Sequence, residues 1–304
     1  MRSVLPILAV VAVILVSWYA ACVPMNIKGV LTEAERAGAE VVPPGAAERR
    51  DMSEIGLVAQ NGFAIPATWA QERPRLPAPH QVAVELWDTT VMKKITSKRS
   101  LVHHAWITLS ATLLGFAIGT GLGILLAVGI VQSRVMDMSV MPWAIVSQTI
   151  PIIALAPMII VVLYSIGVQG ILPKAVISAY LSFFPVVVGM VKGLRSPDAM
   201  QLDLLRTYNA STGQILWKLR LPASMPYLFA SLKIGIAASL VGAIVGELPT
   251  GAVAGLGARL LAGSYYGQTV QIWAALFAAA ILAAVLVGLL GLLERLVLKR
   301  MGMA

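Results

Sequence analysis

The run AWITLSATLLGFAIGTGLGILLAVGIV, residues 105–131, is 27 residues long and contains no charged side chain. About 20 apolar residues cross a hydrocarbon core of about 30 Å as a helix, because lipid offers no partner to an unpaired backbone group. This run is therefore predicted to be a transmembrane helix. Gly115, Gly119 and Gly123 recur in it at four-residue intervals, which predicts a face where another helix packs closely.

On either side of this run, five more segments are apolar enough to span a membrane. Hydrophobic residues make up 58% of the chain and charged residues 12%, against about 25% charged in soluble domains. We therefore expect an all-α, polytopic transmembrane helical bundle with six spans. The other five spans are Val4–Cys22, Val140–Ile166, Ile171–Val191, Tyr227–Val245 and Val270–Val297.

Two of these spans have unusual features. The third span contains Pro142, Pro151 and Pro157, and proline removes a backbone donor and clashes with a preceding carbonyl, so we expect a kinked or broken helix. The first span also has the composition of a secretory signal peptide, but the sequence AACVPM that follows it is a weak cleavage site. We expect residues 1–22 to be a retained N-terminal transmembrane anchor.

Residues 23–101, between the first and second spans, are polar. Glycine, proline and charge dominate runs such as VVPPGAAERR and QERPRLPAPH, so we predict an aqueous loop, with a short interfacial helix near residues 80–94. The loop has no chemical motif. It is interpreted either as a disordered tether or as a surface that contacts a partner or the mouth of a pore. Residues 102–304 then form the core transmembrane domain.

The placement of basic residues predicts the orientation. With a cytoplasmic amino terminus, the short cytoplasmic segments carry most of them, whereas the short connections on the opposite side carry only Arg259 and Lys174. The positive-inside rule favours this topology, with both termini cytoplasmic and residues 23–101 as a loop on the outer, periplasmic side. The cytoplasmic basic residues are Arg134, Lys192, Arg195, Arg206, Lys218, Arg220, Lys299 and Arg300.

The segment between the fourth and fifth spans, residues 196–222, is polar and has a helical pattern. We expect one helix to start at Ser196-Pro197-Asp198 and to stop at Asn209, because asparagine tolerates the left-handed conformation that closes a helix. Ser211 and Gln214 fit the capping box of a second helix, which Leu221-Pro222 should end. The segment is interpreted either as a protruding hairpin or as an amphipathic loop that lies on the lipid headgroups.

The run DLLRTYNASTGQILWKLRLPASMPYLFASLKI, residues 203–234, resembles the "EAA" signature of the permeases of ATP-binding-cassette importers. Asp203 matches the acid, Leu204 and Leu205 the two alanines, and Asn209 the glycine, so the alanine and glycine positions depart from the pattern. TIPIIALAPMIIVVLYSIGVQG and LSFFPVVVGMVKGL are similar to permeases of nitrate, sulfonate, taurine and pyrimidine-precursor importers. The resemblance covers about residues 76–297.

The resemblance implies a type I importer permease of MetI-like architecture in a bacterial inner membrane, with a cytoplasmic coupling helix that docks on a separate ATPase subunit. It also implies a second permease subunit, most simply in a homodimer, and a periplasmic substrate-binding protein. The chain has no G-x-x-x-x-G-K-[ST] loop, so we expect a non-catalytic subunit without a cofactor, with ATP and Mg on the ATPase. The expected coupling residues are Asp203, Leu205, Arg206, Thr207, Tyr208, Asn209, Ala210, Ser211, Thr212, Gly213 and Trp217.

Polar groups inside the spans are candidates for the translocation path. Glu247 lies at the end of the fifth span and either lines the path or forms an ordinary interfacial helix end. Lys233 is expected to extend its ammonium to the cytoplasmic interface. His103 and His104 have no third ligand at metal spacing, so no metal site is expected. The path candidates, each also able to bond between helices, are Gln148, Thr149, Tyr180, Ser182 and Glu247.

Two other functional classes fit the sequence less well than the importer permease. A stand-alone channel or secondary transporter needs coupling-ion carboxylates within its spans, and only Glu247 at a span end comes near this requirement. A membrane-embedded enzyme needs clustered His, Asp or Cys at the bilayer surface, and the chain has a single cysteine and no such cluster. The sequence does not identify the solute.

Overall fold

The computed structural model describes residues 4–249, 252 and 254–303, and this part of the chain is helical without strands. It divides into two compact units. We call residues 4–102 with 259–278 the N-terminal unit, and residues 103–258 with 279–303 the core unit. The helices are α1 (Val4–Arg36), α2 (Ala46–Asp51), α3 (Glu54–Gln60), α4 (Ile65–Thr68), α5 (Pro79–Trp87), α6 (Leu101–Gln132), α7 (Arg134–Ser147), α8 (Ile152–Ser165), α9 (Ile171–Leu194), α10 (Ala199–Thr207), α11 (Thr212–Ile215), α12 (Leu221–Glu247), α13 (Leu256–Tyr265) and α14 (Thr269–Arg300).

The number of candidate spans agrees with the sequence prediction. Among the described residues, five helical stretches are long and apolar enough to cross a membrane, and α7 with α8 makes a sixth if the two form one broken span. The two helices are bent by 102°, and each has 14 residues, about 21 Å at 1.5 Å per residue. Neither half alone crosses a core of about 30 Å. The expected break is present, and α8 begins directly after Pro151.

In the N-terminal unit, α1 continues 14 residues beyond the predicted end of the first span. The segment expected to be a loop therefore starts as a helix, because the end of an apolar run marks the end of lipid contact and not the end of the helix. Beyond Cys22, the side chains of Ile27, Val30 and Leu31 are buried at helical spacing against Leu57. This segment thus has a small apolar core and is not a disordered tether.

A helix also lies where the interfacial one was predicted. It comprises α5 and a π-helical turn at Asp88–Met92. Val84 and Trp87 expose 66% and 63% of their surface, so the helix carries an open apolar face. Its location at the membrane surface stays a prediction.

The glycine face of α6 in the core unit packs closely against another helix, as predicted, and that helix is α9. A Cβ atom added to Gly119 would lie 2.2 Å from the Ser182 hydroxyl oxygen, and one added to Gly115 would lie 2.4 Å from Ser178 Cβ. Contacts this short exclude any larger residue at these positions. Small residues thus let the two helix backbones approach closely.

Helices α9 and α12 are held together by the same device. A Cβ atom on Gly242 would lie 2.7 Å from Ser178 Cα, and one on Gly189 would lie 2.5 Å from Ser231 Cβ. The hydroxyl oxygens of Ser178 and Ser239 are 2.7 Å apart across this contact. The close packing makes the pair a stiff element, and α12 is continuous with the polar segment before it.

Candidate functional site

The polar segment at residues 196–222 forms two short helices joined by a tight turn, and we call it the polar hairpin. Asn209 has φ of 54°, the left-handed conformation that was predicted for it. The Asn209 N–H donates to Arg206 O at 2.9 Å, and the Ala210 N–H donates to Leu205 O at 3.0 Å. These two bonds form a Schellman motif, which ends α10 with asparagine in the position glycine usually takes.

The start of each short helix is fixed by a glutamine that reaches back. The Asp198 N–H donates to the Gln201 side chain at 3.2 Å, and α10 begins at Ala199. The helix was expected to start at Ser196-Pro197-Asp198, and its cap is Asp198, because the Ser196 hydroxyl donates instead to Gly193 O at 2.7 Å, at the end of α9. The capping box of α11 is confirmed, because the Gln214 side chain accepts from the Ser211 N–H at 2.9 Å.

One side of the hairpin presents large apolar groups to solvent. Met200, Leu204 and Tyr208 follow one another at four-residue intervals, so they share a face of α10. Their exposed fractions are 83%, 57% and 78%, and Trp217 is 72% exposed. Apolar side chains exposed together on a polar segment mark a contact surface, either for another protein or for a membrane. We call Met200, Leu204 and Tyr208 the apolar face.

The base of the hairpin is buried in the core unit. Leu216 packs in a cluster with Met190 and Leu194 of α9. From Thr212 the helix runs through a π-helical turn into α12 and continues to Glu247. The predicted helix end at Leu221-Pro222 was wrong. The Leu221 N–H donates to Leu216 O, five residues back, and this wider turn lets the helix continue although Pro222 has no N–H to donate.

The predicted coupling residues lie mostly on the exposed side of the hairpin. Asp203 and Arg206 form an exposed ion pair of 3.1 Å, which contributes little because both groups are solvated. Leu205 and Ala210 are half-buried behind the turn. The remaining predicted coupling residues, Thr207, Tyr208, Asn209, Ser211, Thr212, Gly213 and Trp217, are exposed.

Three of the five predicted path residues come together at the break between α7 and α8. Gln148 and Thr149 lie in the break itself. The Tyr180 hydroxyl donates to the carbonyl of Ser147, next to them. The Gln148 side-chain N–H₂ is buried without a hydrogen-bond partner, which is costly unless another group supplies an acceptor. Ser182 is elsewhere, facing Gly119 of α6.

Glu247 lies in a separate buried cluster and is 0% exposed. Its carboxylate accepts from the Thr108 hydroxyl at 2.9 Å and from the Gly257 N–H at 2.7 Å. The Leu256 N–H donates to Thr108 Oγ1 at 2.8 Å. Gly255 has φ of 133°, and a Cβ atom on it would lie 2.2 Å from the Glu247 carboxyl carbon. The cluster thus holds residues 255–257 against α6.

Comparison with known proteins identifies the group to which these features belong. Residues 119–303 match the family described as "Binding-protein-dependent transport system inner membrane component". The chain belongs to this family. It is a permease subunit of an ATP-binding-cassette importer, with several transmembrane helices in an inner membrane.

The alignments with individual relatives cover most of each relative's length. The permease is 32% identical to a probable ABC transporter permease of Haemophilus influenzae over 66% of this chain and 76% of the relative. It is 31% identical to a riboflavin transport permease of Chloroflexus aurantiacus, over 74% and 80% of the two chains. A formylaminopyrimidine transport permease of Halalkalibacterium halodurans is 33% identical over 60% and 68%. These relatives imply ATPase and substrate-binding partners and do not favour a stand-alone channel or secondary transporter.

Sequence reasoning missed two features of the permease. Lys233 does not extend to the interface alone, because it forms an ion pair with Glu294 of α14. Their spacing of 61 residues gave no local signal for this pair. The partners of Glu247 were also missed, since Thr108 is 139 residues away, although the glycines at 255 and 257 indicated a close backbone approach.

Proposed function

We propose that this permease passes a small solute, delivered by a periplasmic binding protein, across the inner membrane, and that the polar hairpin couples it to the ATPase. The observation that carries the proposal is the apolar face, because Leu204 and Tyr208 are exposed on a hairpin whose base is buried. A groove on a separate ATPase subunit that takes these side chains would remove them from water. Buried aromatic anchors such as a tyrosine carry much of the binding energy of a protein interface.

The connection from the hairpin to the spans supports a mechanical role. Leu216 packs against α9, and the hairpin continues as one helix into α12. Because α9 and α12 are tightly packed, a displacement of the hairpin by ATP-driven closure of the ATPase would move both spans together. We propose that this motion alternates the permease between outward-facing and inward-facing states.

The remaining parts of the assembly follow from this role. Two copies of the chain would enclose the path as a homodimer, with Gln148, Thr149, Tyr180, Ser182 and Glu247 as candidates along it. The absence of a phosphate-binding loop from the sequence supports a non-catalytic subunit, with ATP and Mg held by the partner. The distribution of basic residues supports cytoplasmic termini and a cytoplasmic hairpin.

The choice of solute is assigned to the binding protein. The names of related permeases mention riboflavin, formylaminopyrimidine, aliphatic sulfonates and nitrate, which differ in charge and size. Sequences this similar therefore serve different solutes, and the separate capture component is the simplest source of the difference.

Reconstitution with the ATPase of the same transport system tests the proposal. Leu204→Asp and Tyr208→Asp should each weaken ATPase binding by about 2 kcal/mol or more, as for central interface residues, and should abolish uptake while the protein stays in the membrane. Met303→Asp, at a residue 44% exposed outside the hairpin, is the matched control and should bind normally. Normal ATPase binding by both hairpin variants would contradict the proposal.

A further inference from the structure

The N-terminal unit contains a cavity of about 450 Å³ whose lining is strongly basic. Residues 23–104 contain ten basic and nine acidic residues, so their composition is nearly neutral. The fold nevertheless gathers six of the ten basic side chains around this cavity with a single carboxylate, Glu33. The basic surface of the cavity therefore arises from the fold and does not follow from the composition of the segment. The six basic residues are Lys28, Arg36, Arg49, Arg50, Arg73 and Arg75.

Among the described residues, two of the six form ion pairs within the unit. Lys28 pairs with Glu54 at 3.1 Å, and the buried Arg49 pairs with Glu35. In the part of the chain that the structure describes, the guanidinium groups of the other four lie outside ion-pair distance of any carboxylate. Guanidinium groups bind carboxylates through paired hydrogen bonds, so the cavity is complementary to an acidic partner.

The segment that carries two of these arginines is held rigidly. Asn26 of α1 donates to Thr68 O and Leu76 O at 3.0 and 2.8 Å, and it accepts from the N–H groups of Arg75 and Leu76. One buried side chain thus makes four bonds to residues 68–76. The positions of the charges are set before any partner arrives, which lowers the entropic cost of binding.

The position of the cavity along α1 argues against a lipid headgroup as the occupant. Lys28 and Arg36 lie about 9 and 21 Å along the helix beyond Cys22, at 1.5 Å per residue. The headgroup layer adds only about 5–8 Å to the hydrocarbon core on each side. On the topology of the proposed function, the cavity therefore faces the aqueous space outside the membrane.

The floor of the cavity argues against a small anion. A small-molecule site has a few polar groups that point into the cavity and are available to bond the ligand. Here the buried polar side chains are already engaged, since Asn26 bonds residues 68–76 and Arg49 donates to the carbonyls of Pro43 and Pro44. The charges that remain available are exposed at the rim. A rim of exposed guanidinium groups suits acidic side chains that protrude from another protein.

We propose that this cavity is a docking site for an acidic surface of the substrate-binding component, which it captures before the solute is released to the core unit. The inference rests on the proposed function, because it requires the N-terminal unit to face the compartment where that component resides. It assigns to residues 23–101 a role in recruitment.

Association of the purified binding component with the permease–ATPase complex in nanodiscs tests the proposal. Arg50→Glu combined with Arg73→Glu should weaken the affinity about tenfold or more at low salt, and should flatten the dependence of the affinity on salt concentration. The matched control combines Lys94→Glu with Arg99→Glu, which changes the net charge equally at exposed residues outside the cavity. The control should bind like the unaltered protein.

The outcomes separate this proposal from the proposed function. An unchanged affinity for the Arg50/Arg73 variant, or an equal loss in the control, would overturn the docking site even if the binding component still stimulates ATP hydrolysis. The docking site would also be overturned, in favour of a lipid site, if the Arg50/Arg73 variant lost only its binding to vesicles that contain phosphatidylglycerol. Failure of the unaltered permease to bind the ATPase would instead count against the proposed function.

Discussion

The turn of the polar hairpin gives a sharp prediction, because its geometry rests on one residue. Asn209 has φ of 54°, and an ordinary L residue pays roughly 1–2 kcal/mol for this conformation, whereas glycine does not. Asn209 is exposed, so substitutions there change the backbone preference without filling or emptying a core. Asn209→Gly should preserve the hairpin, and Asn209→Val should destabilise it by about 2 kcal/mol, since β-branched residues avoid this region.

The effect should appear in ATPase binding. The hairpin is anchored by few buried side chains, chiefly Ile215 and Leu216, and its exposed Asp203–Arg206 pair contributes at most about 1 kcal/mol. A penalty of this size then lowers the fraction of binding-competent hairpin, and the apparent affinity falls by the same factor. We expect affinity for the ATPase to drop roughly 10- to 30-fold in Asn209→Val, at 1.4 kcal/mol per tenfold.

Titration of the detergent-solubilised permease with its ATPase, followed by uptake in proteoliposomes, measures this effect. Asn209→Gly serves as the matched control at the same position. Equal affinities for the glycine and valine variants would refute the argument that the left-handed turn presents the apolar face.

Three further predictions concern the core unit. Gly119→Leu should reduce the folded yield severely because the leucine side chain would collide with Ser182 of α9, whereas Gly121→Leu, in open space, should be tolerated. Size-exclusion chromatography of both variants measures this, and equal profiles would contradict the close packing of α6 on α9. Lys233→Ala should lower the thermal stability because it leaves Glu294 unpaired at membrane depth. The double variant Lys233→Glu with Glu294→Lys should restore part of that stability. Thermal melting in detergent measures both variants, and no recovery in the double variant would argue against the ion pair. Glu247→Ala should lower the free energy of unfolding by about 1–3 kcal/mol for each buried donor left without an acceptor. In the Glu247→Ala background, Thr108→Val should lower the free energy of unfolding by less than it does in the unaltered protein. Strict additivity of the two losses would contradict direct coupling.

The sequence predicted those features whose cause is local. Uncharged runs located the spans, because lipid tolerates few alternatives. Asn209 and the Ser211–Gln214 box predicted the turn and the second helix of the hairpin, because caps act over three or four residues. Composition did not predict that α1 continues beyond Cys22, since its extension is stabilised by burial against Leu57 in a segment far along the chain.

Two of the missed contacts depend on long-range pairing. The ion pair of Lys233 with Glu294 and the bond of Glu247 to Thr108 join residues far apart in sequence, and no periodic pattern encodes such contacts. The helix end predicted from Pro222 was also wrong, because Pro222 lies within a continuous helix and follows a π-helical turn. Sequence also located the apolar face only in part, since Met200 carried no motif and its 83% exposure became evident in three dimensions.

Cross-linking from the tip of the polar hairpin tests the central claim most directly. The single native cysteine, Cys22, is replaced by alanine, and Thr212→Cys then offers one exposed thiol for a short thiol-to-amine cross-linker in membranes that contain the ATPase. Docking of the hairpin on the ATPase predicts a covalent permease–ATPase product, whose yield ATP should alter. A cytoplasmic hairpin predicts no labelling of this thiol by membrane-impermeant reagents added outside intact cells. A missing cross-link together with labelling from outside would contradict the central claim.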